Sequence, residues 1–236
     1  GPKNSWSDSV SYTTSDGVTF QYDPAHAGYS GYAIEKIGSR QGLYETIFDT
    51  TYYNNNVTGN MIEAYDPDIV LLQIGTNDLL DNQNAGITDR LEKLVDKLLD
   101  SIDSDSMLFV ASVPDIDVSV KHDWLWAYQS SGYSYENNPE EFTALVEQSV
   151  DNYNASVKEL VEKKQAVGAR IRFADINSVV DMKTGLEDGV HPNEAGYACM
   201  GKYWSEQVSA YLNGTTPTPT PATTTEVTTA TEATTT

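Results

Sequence analysis

Short apolar runs recur along the middle of the chain, at residues 69–74, 107–113 and 171–176. Each run is too short for a typical helix and is bounded by turn-forming or polar residues. Such runs predict strands that are buried on both faces, as in the parallel sheet of an α/β protein.

Between and after these runs, apolar residues recur at helical spacing. They predict helices over roughly 87–100 and 139–167, and a last helix from about 193 to 212. Gly168 is the expected stop of the second helix, because glycine favours helix ends. The alternation of strands and helices is typical of βαβ units with right-handed crossovers, so the sequence predicts the α/β class.

The first part of the chain has a different pattern. Alternating bulky residues at 10–14 and 18–22 flank Ser15-Asp16-Gly17 and predict a β-hairpin. Residues 26–34 place two glycines among aromatic residues and predict the opening of a helix. Residues 41–65 are irregular and polar at first and become helical towards Tyr65.

The end of the chain is compositionally distinct. Thirteen of the last 22 residues are Thr and three are Pro, with no aromatic or basic residue. Such a segment cannot bury enough apolar surface to offset its ordering entropy, so we expect a linker over 214–236 and one domain over 1–213. A terminal linker leads us to expect a further domain or an anchor beyond it.

Charge narrows the possible partners. Against 35 acidic residues the chain has 14 basic ones, a formal net charge of -21. This excess argues against a nucleic-acid backbone and an anionic membrane surface as partners. No run is long enough to span a bilayer. No signal peptide is visible, but the abrupt start leaves room for one that has been removed. The single cysteine, Cys199, is expected to be a small core residue.

Two stretches carry candidate chemistry. The run at 69–74 is followed directly by Asn77 and Asp78, which places both at the carboxyl end of a predicted parallel strand, where ligands of such sheets bind. An ordinary Asn-containing turn explains the same residues. Later, Asp188 and His191 lie three residues apart in a loop before a helix. The spacing lets the carboxylate orient the imidazole as a base, and a capping Asp beside a surface His is the alternative.

Together, three stretches resemble one family. His-Ala-Gly-Tyr-Ser-Gly at 26–31, Ile-Gly-Thr-Asn-Asp at 74–78 and Asp-Gly-Val-His-Pro at 188–192 are similar to the second, third and fifth conserved blocks of the SGNH (GDSL-like) hydrolases. The residues of these three motifs are most similar to those of carbohydrate esterase family 3, the acetyl xylan esterases. The resemblance covers roughly residues 1–212 and implies a three-layer α/β/α sandwich with a flavodoxin-like parallel sheet.

The resemblance also implies roles for four residues. The Gly31 N–H and the Asn77 side-chain amide would be donors to the oxyanion, and Asp188 and His191 would be the acid and base of a Ser-His-Asp triad. It implies no cofactor, and no clustered metal-ligand spacing appears. Asp81, Asp115 and Asp117 are the acidic residues that would join a calcium site, if one exists.

The nucleophile block of this family is not found. No Gly-Asp-Ser occurs in the 236 residues, and only 25 residues precede His26. We therefore expect the first βαβ unit, with the nucleophilic serine, to lie upstream of Gly1, and the strand at 69–74 to have one edge unpaired. Ser5, Ser7 and Ser9 lie in a polar stretch and are poor substitutes, and Ser30 is an outside candidate.

The resemblance implies a secreted serine esterase that removes acetyl groups from xylan or a related plant polysaccharide. We expect a monomer with a further module, such as a dockerin of a cellulosome-like assembly, after the linker. Two alternatives remain: a non-catalytic carbohydrate-binding or scaffold module on the same fold, and an esterase or lipase for other acyl esters.

Three aromatic residues are further candidates for a role in binding. Trp124, Trp126 and Tyr128 lie in an insertion over roughly 115–140. They suit either a platform for sugar rings or packing of the insertion against the core, and the sequence favours packing. His26 and His122 are expected to be hydrogen-bonded structural residues.

Overall fold

The computed structural model describes residues 10–13, 17–22, 26–49 and 60–215. The strands are β1 (Val10–Thr13), β2 (Thr19–Tyr22), β3 (Ile69–Leu72), β4 (Met107–Ala111) and β5 (Ile171–Ala174). The helices are α1 (Leu43–Phe48), α2 (Met61–Tyr65), α3 (Thr76–Leu80), α4 (Ile87–Leu99), α5 (Val118–Lys121), α6 (Pro139–Ala166) and α7 (Glu194–Leu212). Short 3₁₀ helices cover His122–Trp124, Trp126–Tyr128 and Asn177–Val179.

The main sheet is parallel, in the order β3-β4-β5, and β1 pairs with β2 as a separate antiparallel hairpin. These strands and α4, α6 and α7 confirm the predicted pattern. The parallel strands end before their apolar runs do. Beyond β3, for example, the carbonyl of Ile74 accepts a hydrogen bond from the Tyr153 hydroxyl at 2.7 Å.

Strand β4 is buried on both faces, and its side chains alternate between two layers. Leu108 and Val110 belong to the core that α4 and α6 complete. On the opposite face, the ring of Phe109 meets Trp204 and Tyr211 of α7 edge to face. Because successive side chains on a strand point to opposite faces, the sheet lies between α4 and α6 on one side and α7 on the other. The predicted three-layer α/β/α arrangement is confirmed.

Strand β3 is the open side of this sheet. Within the described ranges it pairs with β4 alone. Leu71 lies beside Phe109 in the parallel register, so both point to the α7 face. Phe109 is fully buried, but Leu71 is 46% exposed. The covering layer therefore stops short of β3 on that face.

Two predictions about local structure are wrong. No helix opens near Ile34, because its N–H donates to the Asp78 carboxylate at 2.9 Å and the first helix begins at Leu43. Cys199 is exposed and not a core residue, since α7 buries only the stripe that includes Gln207 and Ala210.

Some predictions fall outside the described residues. The linker from residue 216 onwards, the serines at 5, 7 and 9, and the polar stretch around residues 52–56 belong to this group. Within the described part, none of the helices combines the length and apolar character needed to cross a bilayer.

Replacing Gly75 with Ala is expected to destabilise the fold. Gly75 has φ 118°, and an added Cβ would overlap the Tyr153 ring. Backbone strain and overpacking each cost about 1–3 kcal/mol. Chemical unfolding of Gly75→Ala should thus show a larger loss of stability than unfolding of Gly168→Ala, whose φ is 90° but whose Cβ would meet nothing within 4 Å. Equal losses would contradict the packing argument.

Candidate active site

The carboxyl end of β3 is shaped by a glycine turn. Gly75 has a positive φ and directly precedes α3, so Asn77 lies in the first turn of that helix. The buried Tyr153 supports this turn, because its hydroxyl holds the Ile74 carbonyl and its ring fills the space above Gly75. Burial raises the pKa of Tyr153, so the hydroxyl stays protonated and continues to donate.

Asp78 is fully buried and points inward. Its carboxylate accepts from the Ile34 N–H at 2.9 Å and from Arg90 Nη2 at 3.0 Å. Burial raises the pKa of Asp78, and the hydrogen bonds from Ile34 and Arg90 offset only part of this effect. The sequence placed Asp78 with Asn77 at the ligand end of the strand. Instead, Asp78 ties the 26–34 loop to the sheet.

Asn77 and Gly31 both accept hydrogen bonds from Arg40. The Asn77 Nδ2 donates to the Tyr32 carbonyl at 2.9 Å, and its Oδ1 accepts from Arg40 Nη1 at 2.9 Å. The same Arg40 nitrogen donates to the Gly31 carbonyl at 3.2 Å, and Gly31 has φ 79°. Arg40 lies outside the three motifs, and no sequence pattern signalled its position here.

Arg40 is itself held by Asp81. Its Nε and Nη2 donate to the two carboxylate oxygens at 2.6 and 2.7 Å, a bidentate pair. The hydrogen bond with Asp81 raises the pKa of Arg40 above its ordinary value. Both side chains are at least three-quarters buried.

The suggested calcium site is not supported. Asp81 is bound to Arg40, Asp115 accepts from Asn177, and Asp117 pairs with Lys183 at 2.8 Å. Among the residues with described positions, no group of three or more His, Cys, Asp or Glu side chains is arranged to hold a metal ion.

Asp188 and His191 form the predicted pair. The His191 Nδ1 lies 3.0 Å from Asp188 Oδ2 and 3.2 Å from Oδ1. A carboxylate at this distance accepts, so Nδ1 carries the hydrogen and Nε2 keeps its lone pair as the basic nitrogen. The imidazole is 56% exposed, so a substrate can reach it from solvent.

The backbone reinforces this pair. Asp188 Oδ1 also accepts from the N–H groups of Val190 and His191 at 3.1 and 2.9 Å. Partial burial works to raise the pKa of Asp188, but these bonds and the His191 ring outweigh it and hold the pKa well below its usual range. The carboxylate therefore stays ionised throughout the neutral range.

The aromatic residues of the insertion separate into two groups. Tyr128 is buried and donates to the Leu79 carbonyl at 2.8 Å, so the packing interpretation holds for it. Trp126 is 68% exposed, and Trp124 meets the His191 ring edge to face at 5.8 Å. Lys121 Nζ lies 3.7 Å from the Trp124 ring centroid and 3.7 Å from Asp188 Oδ2.

The four predicted site residues thus form two pairs. Gly31 and Asn77 share Arg40, and Asp188 and His191 bond directly. Within the described part of the chain, no hydrogen bond joins one pair to the other, and no serine hydroxyl is bonded to His191. Ser30 is exposed and makes no such contact. The arrangement holds an amide of fixed orientation in one pair and an imidazole oriented by a carboxylate in the other.

Known proteins resemble this chain in sequence and fold. The model of the GDSL-like lipase/acylhydrolase family matches residues 3–204. The chain is 35% identical over 217 residues to a multidomain esterase of Ruminococcus flavefaciens, covering 90% of this chain and 24% of that protein. The chain therefore spans about a quarter of this relative.

Two solved structures share the fold. A family 3 carbohydrate esterase of Clostridium thermocellum has a TM-score of 0.53 at 23% identity, covering 81% of this chain and 72% of that one. A family 3 carbohydrate esterase of Talaromyces cellulolyticus has a TM-score of 0.54 at 16% identity, with coverage of 83% and 75%. At these identities the likeness establishes the fold alone.

The Asp188 hydrogen bonds predict a pH effect on stability. Because its pKa is lowered on folding, Asp188 stabilises the fold fully above its unfolded pKa of about 3.9 and loses this contribution as the pH falls towards the folded pKa. Asp188→Asn should therefore lower the free energy of unfolding at about pH 5 by on the order of 1 kcal/mol, a value reduced by solvent screening. The gap should shrink by about pH 2.5.

Urea unfolding at both pH values measures this gap. Asp151→Asn, at an exposed position on α6, is the matched control and should show no comparable gap. A gap for Asp188→Asn that stays constant or widens on acidification would contradict the assignment.

Proposed function

The chain belongs to the GDSL-like lipase/acylhydrolase family, and we propose that it is the esterase domain of a secreted carbohydrate esterase. Its substrate would be acetylated xylan or a related plant polysaccharide, and its reaction the removal of acetyl groups. The observation that carries this proposal is the Asp188–His191 pair with Nε2 left basic and accessible.

The mechanism follows from the roles of the two pairs. His191 Nε2 takes the proton of a serine hydroxyl as the serine oxygen attacks the acetyl carbonyl. The Gly31 N–H and the Asn77 Nδ2–H donate to the oxyanion that forms, and Asp188 stabilises the imidazolium. Collapse expels the sugar alkoxide, which takes the proton from His191. Water, deprotonated by the same histidine, then attacks the acetyl-enzyme and releases acetate and the serine.

The serine of this mechanism is proposed to lie upstream of Gly1, on a strand that pairs with the free edge of β3. Two observations support this placement. Within the described ranges β3 pairs with β4 alone, and Leu71 on its outer face is 46% exposed. A further βαβ unit at this edge would cover Leu71 and bring its strand end beside Asn77.

A carbohydrate substrate is supported by two tryptophans of the insertion, of which Trp124 contacts the His191 ring. Trp124 and Trp126 present partly exposed indole rings, and flat aromatic surfaces suit the apolar faces of sugar rings. The net charge of -21 suits a neutral substrate better than an anionic one. Two proteins that share the fold are described as family 3 carbohydrate esterases.

A non-catalytic carbohydrate-binding module is the second candidate. It is favoured by one observation, that no serine hydroxyl contacts His191 within the described residues. An esterase or lipase for other acyl esters is the runner-up among enzymes. We also propose that the whole protein is monomeric and carries a further module, such as a dockerin, after the Thr/Pro-rich segment.

Acetate release from acetylated xylan tests the proposal. We compare this chain with a form extended upstream through a Gly-Asp-Ser block. The extended form should release acetate, and His191→Ala should lower its rate by at least about 10³-fold because the general base is lost. Activity of the present chain that depends on His191 would place the nucleophile within these residues. If neither form releases acetate, the result would favour the non-catalytic binding module.

Loss of an exposed indole should weaken sugar binding. We expect Trp126→Ala to raise the Kd of this chain for xylo-oligosaccharides by about three- to tenfold, the value of one aromatic contact. Isothermal titration measures the change without any need for catalysis. Tyr197→Ala, which removes a 58% exposed aromatic residue from α7, is the matched control and should bind normally. Equal effects of the two changes would contradict a sugar platform that includes Trp126.

A further inference from the structure

Arg40 occupies an unusual position for a partly buried cation. It ends a tight turn, in which the N–H groups of Ile37 and Arg40 each donate to the other residue's carbonyl. From there its guanidinium reaches Gly31 and Asn77, the proposed oxyanion donors, and Asp81 at the end of α3. One side chain thus contacts both residues, at the Gly31 carbonyl and at the Asn77 amide oxygen.

The contacts of Asn77 allow only one orientation of its amide. Arg40 Nη1 is a donor and can pair only with Oδ1, whereas the Tyr32 carbonyl is an acceptor and can pair only with Nδ2. Exchanging the amide oxygen and nitrogen would set donor against donor and acceptor against acceptor. Nδ2 carries two hydrogens and Tyr32 takes one, so among the described residues the second has no acceptor and is left for a substrate.

The guanidinium also changes the quality of this donor. A cation that donates to Oδ1 draws electron density from the amide and makes its N–H groups stronger donors. The bidentate pair with Asp81 fixes the plane of the guanidinium, so this geometry exists before a substrate arrives. Donors that are oriented in advance stabilise an oxyanion without reorganisation.

We propose that Arg40 is a positioning residue that orients and polarises the Asn77 amide and holds the carbonyl of the neighbouring Gly31, with Asp81 as its anchor. The role of the amide in catalysis rests on the proposed esterase function. The orientation of the amide does not, since it is a property of this chain alone. The two ideas can therefore fail separately.

The first test is a ¹H–¹⁵N spectrum of this chain, in which the Asn77 side-chain signals are identified by their loss in Asn77→Asp. Arg40→Lys keeps the charge but not the planar fork. It should accelerate hydrogen exchange of the Asn77 amide by about tenfold or more, as expected for a lost charge-assisted hydrogen bond. Asp81→Asn should have the same effect to a smaller degree.

Arg170→Lys is the matched control, because Arg170 donates to the Ser106 carbonyl and does not contact Asn77. The backbone spectrum shows that each variant remains folded, and Asp81→Asn decides the question if Arg40→Lys does not fold. Unchanged exchange at Asn77 in folded variants would overturn the proposal.

The second test is a double-mutant cycle in the extended esterase. Arg40→Lys should lower kcat by about ten- to a hundredfold, less than loss of Asn77 itself, with KM changed by less than about twofold. In an Asn77→Ala background the same change should lower kcat by less than about twofold, because its partner is gone. If Arg40→Lys lowers kcat by the same factor in both backgrounds, so that the effects of the two changes multiply, the proposal is wrong. An inactive extended form would refute the esterase function and leave the Arg40 question to the spectrum.

Discussion

The buried carboxylate of Asp78 is the constraint on which the donor side of the site depends. Unpaired, it would carry a large desolvation cost, so the fold supplies it with the Ile34 N–H and with Arg90. Ile34 follows directly on the loop that contains Gly31, and Asp78 follows Asn77. Satisfying one buried charge therefore brings two distant parts of the chain together at the end of β3, and Arg40 completes the contact.

The acid-base side is built on a different principle. Asp188 and His191 are near neighbours in the chain, and the carboxylate is ionised because nearby N–H groups and the ring bond to it. Asp188 is only partly buried and His191 is exposed, so the pair forms without a fully buried charge that must be neutralised. The donor side, by contrast, depends on contacts more than forty residues apart, between Ile34 and Asp78 and between Arg40 and Asp81. A change in packing should disturb the donors more than the base.

Sequence patterns predicted the elements whose causes are local. The apolar run of β4 and the glycine stop of α6 needed only periodicity and turn chemistry, and the spacing of Asp188 and His191 predicted a contact across three residues. The sequence patterns gave wrong predictions where contacts between residues distant in the chain determine the local structure. Ile34 was assigned to a helix although its N–H is taken by Asp78, and Cys199 was placed in a core that its helix does not bury. No sequence pattern pointed to Arg40, because its contacts form only when the loop that contains Gly31 packs against α3.

These two halves of the site differ in how far they are complete. On the proposed donor side, the Asn77 amide has a defined orientation and Arg40 has a bidentate anchor. His191 has Asp188 as its partner but no serine hydroxyl bonded to it within the described residues, and β3, on another part of the fold, leaves Leu71 exposed. The exposed Leu71 and the pairing of β3 with β4 alone, within the described ranges, are what a sheet with one strand outside those ranges would present. Because the orientation of the Asn77 amide is already fixed by Tyr32 and Arg40, the proposed oxyanion site would not have to reorganise when such a strand is present.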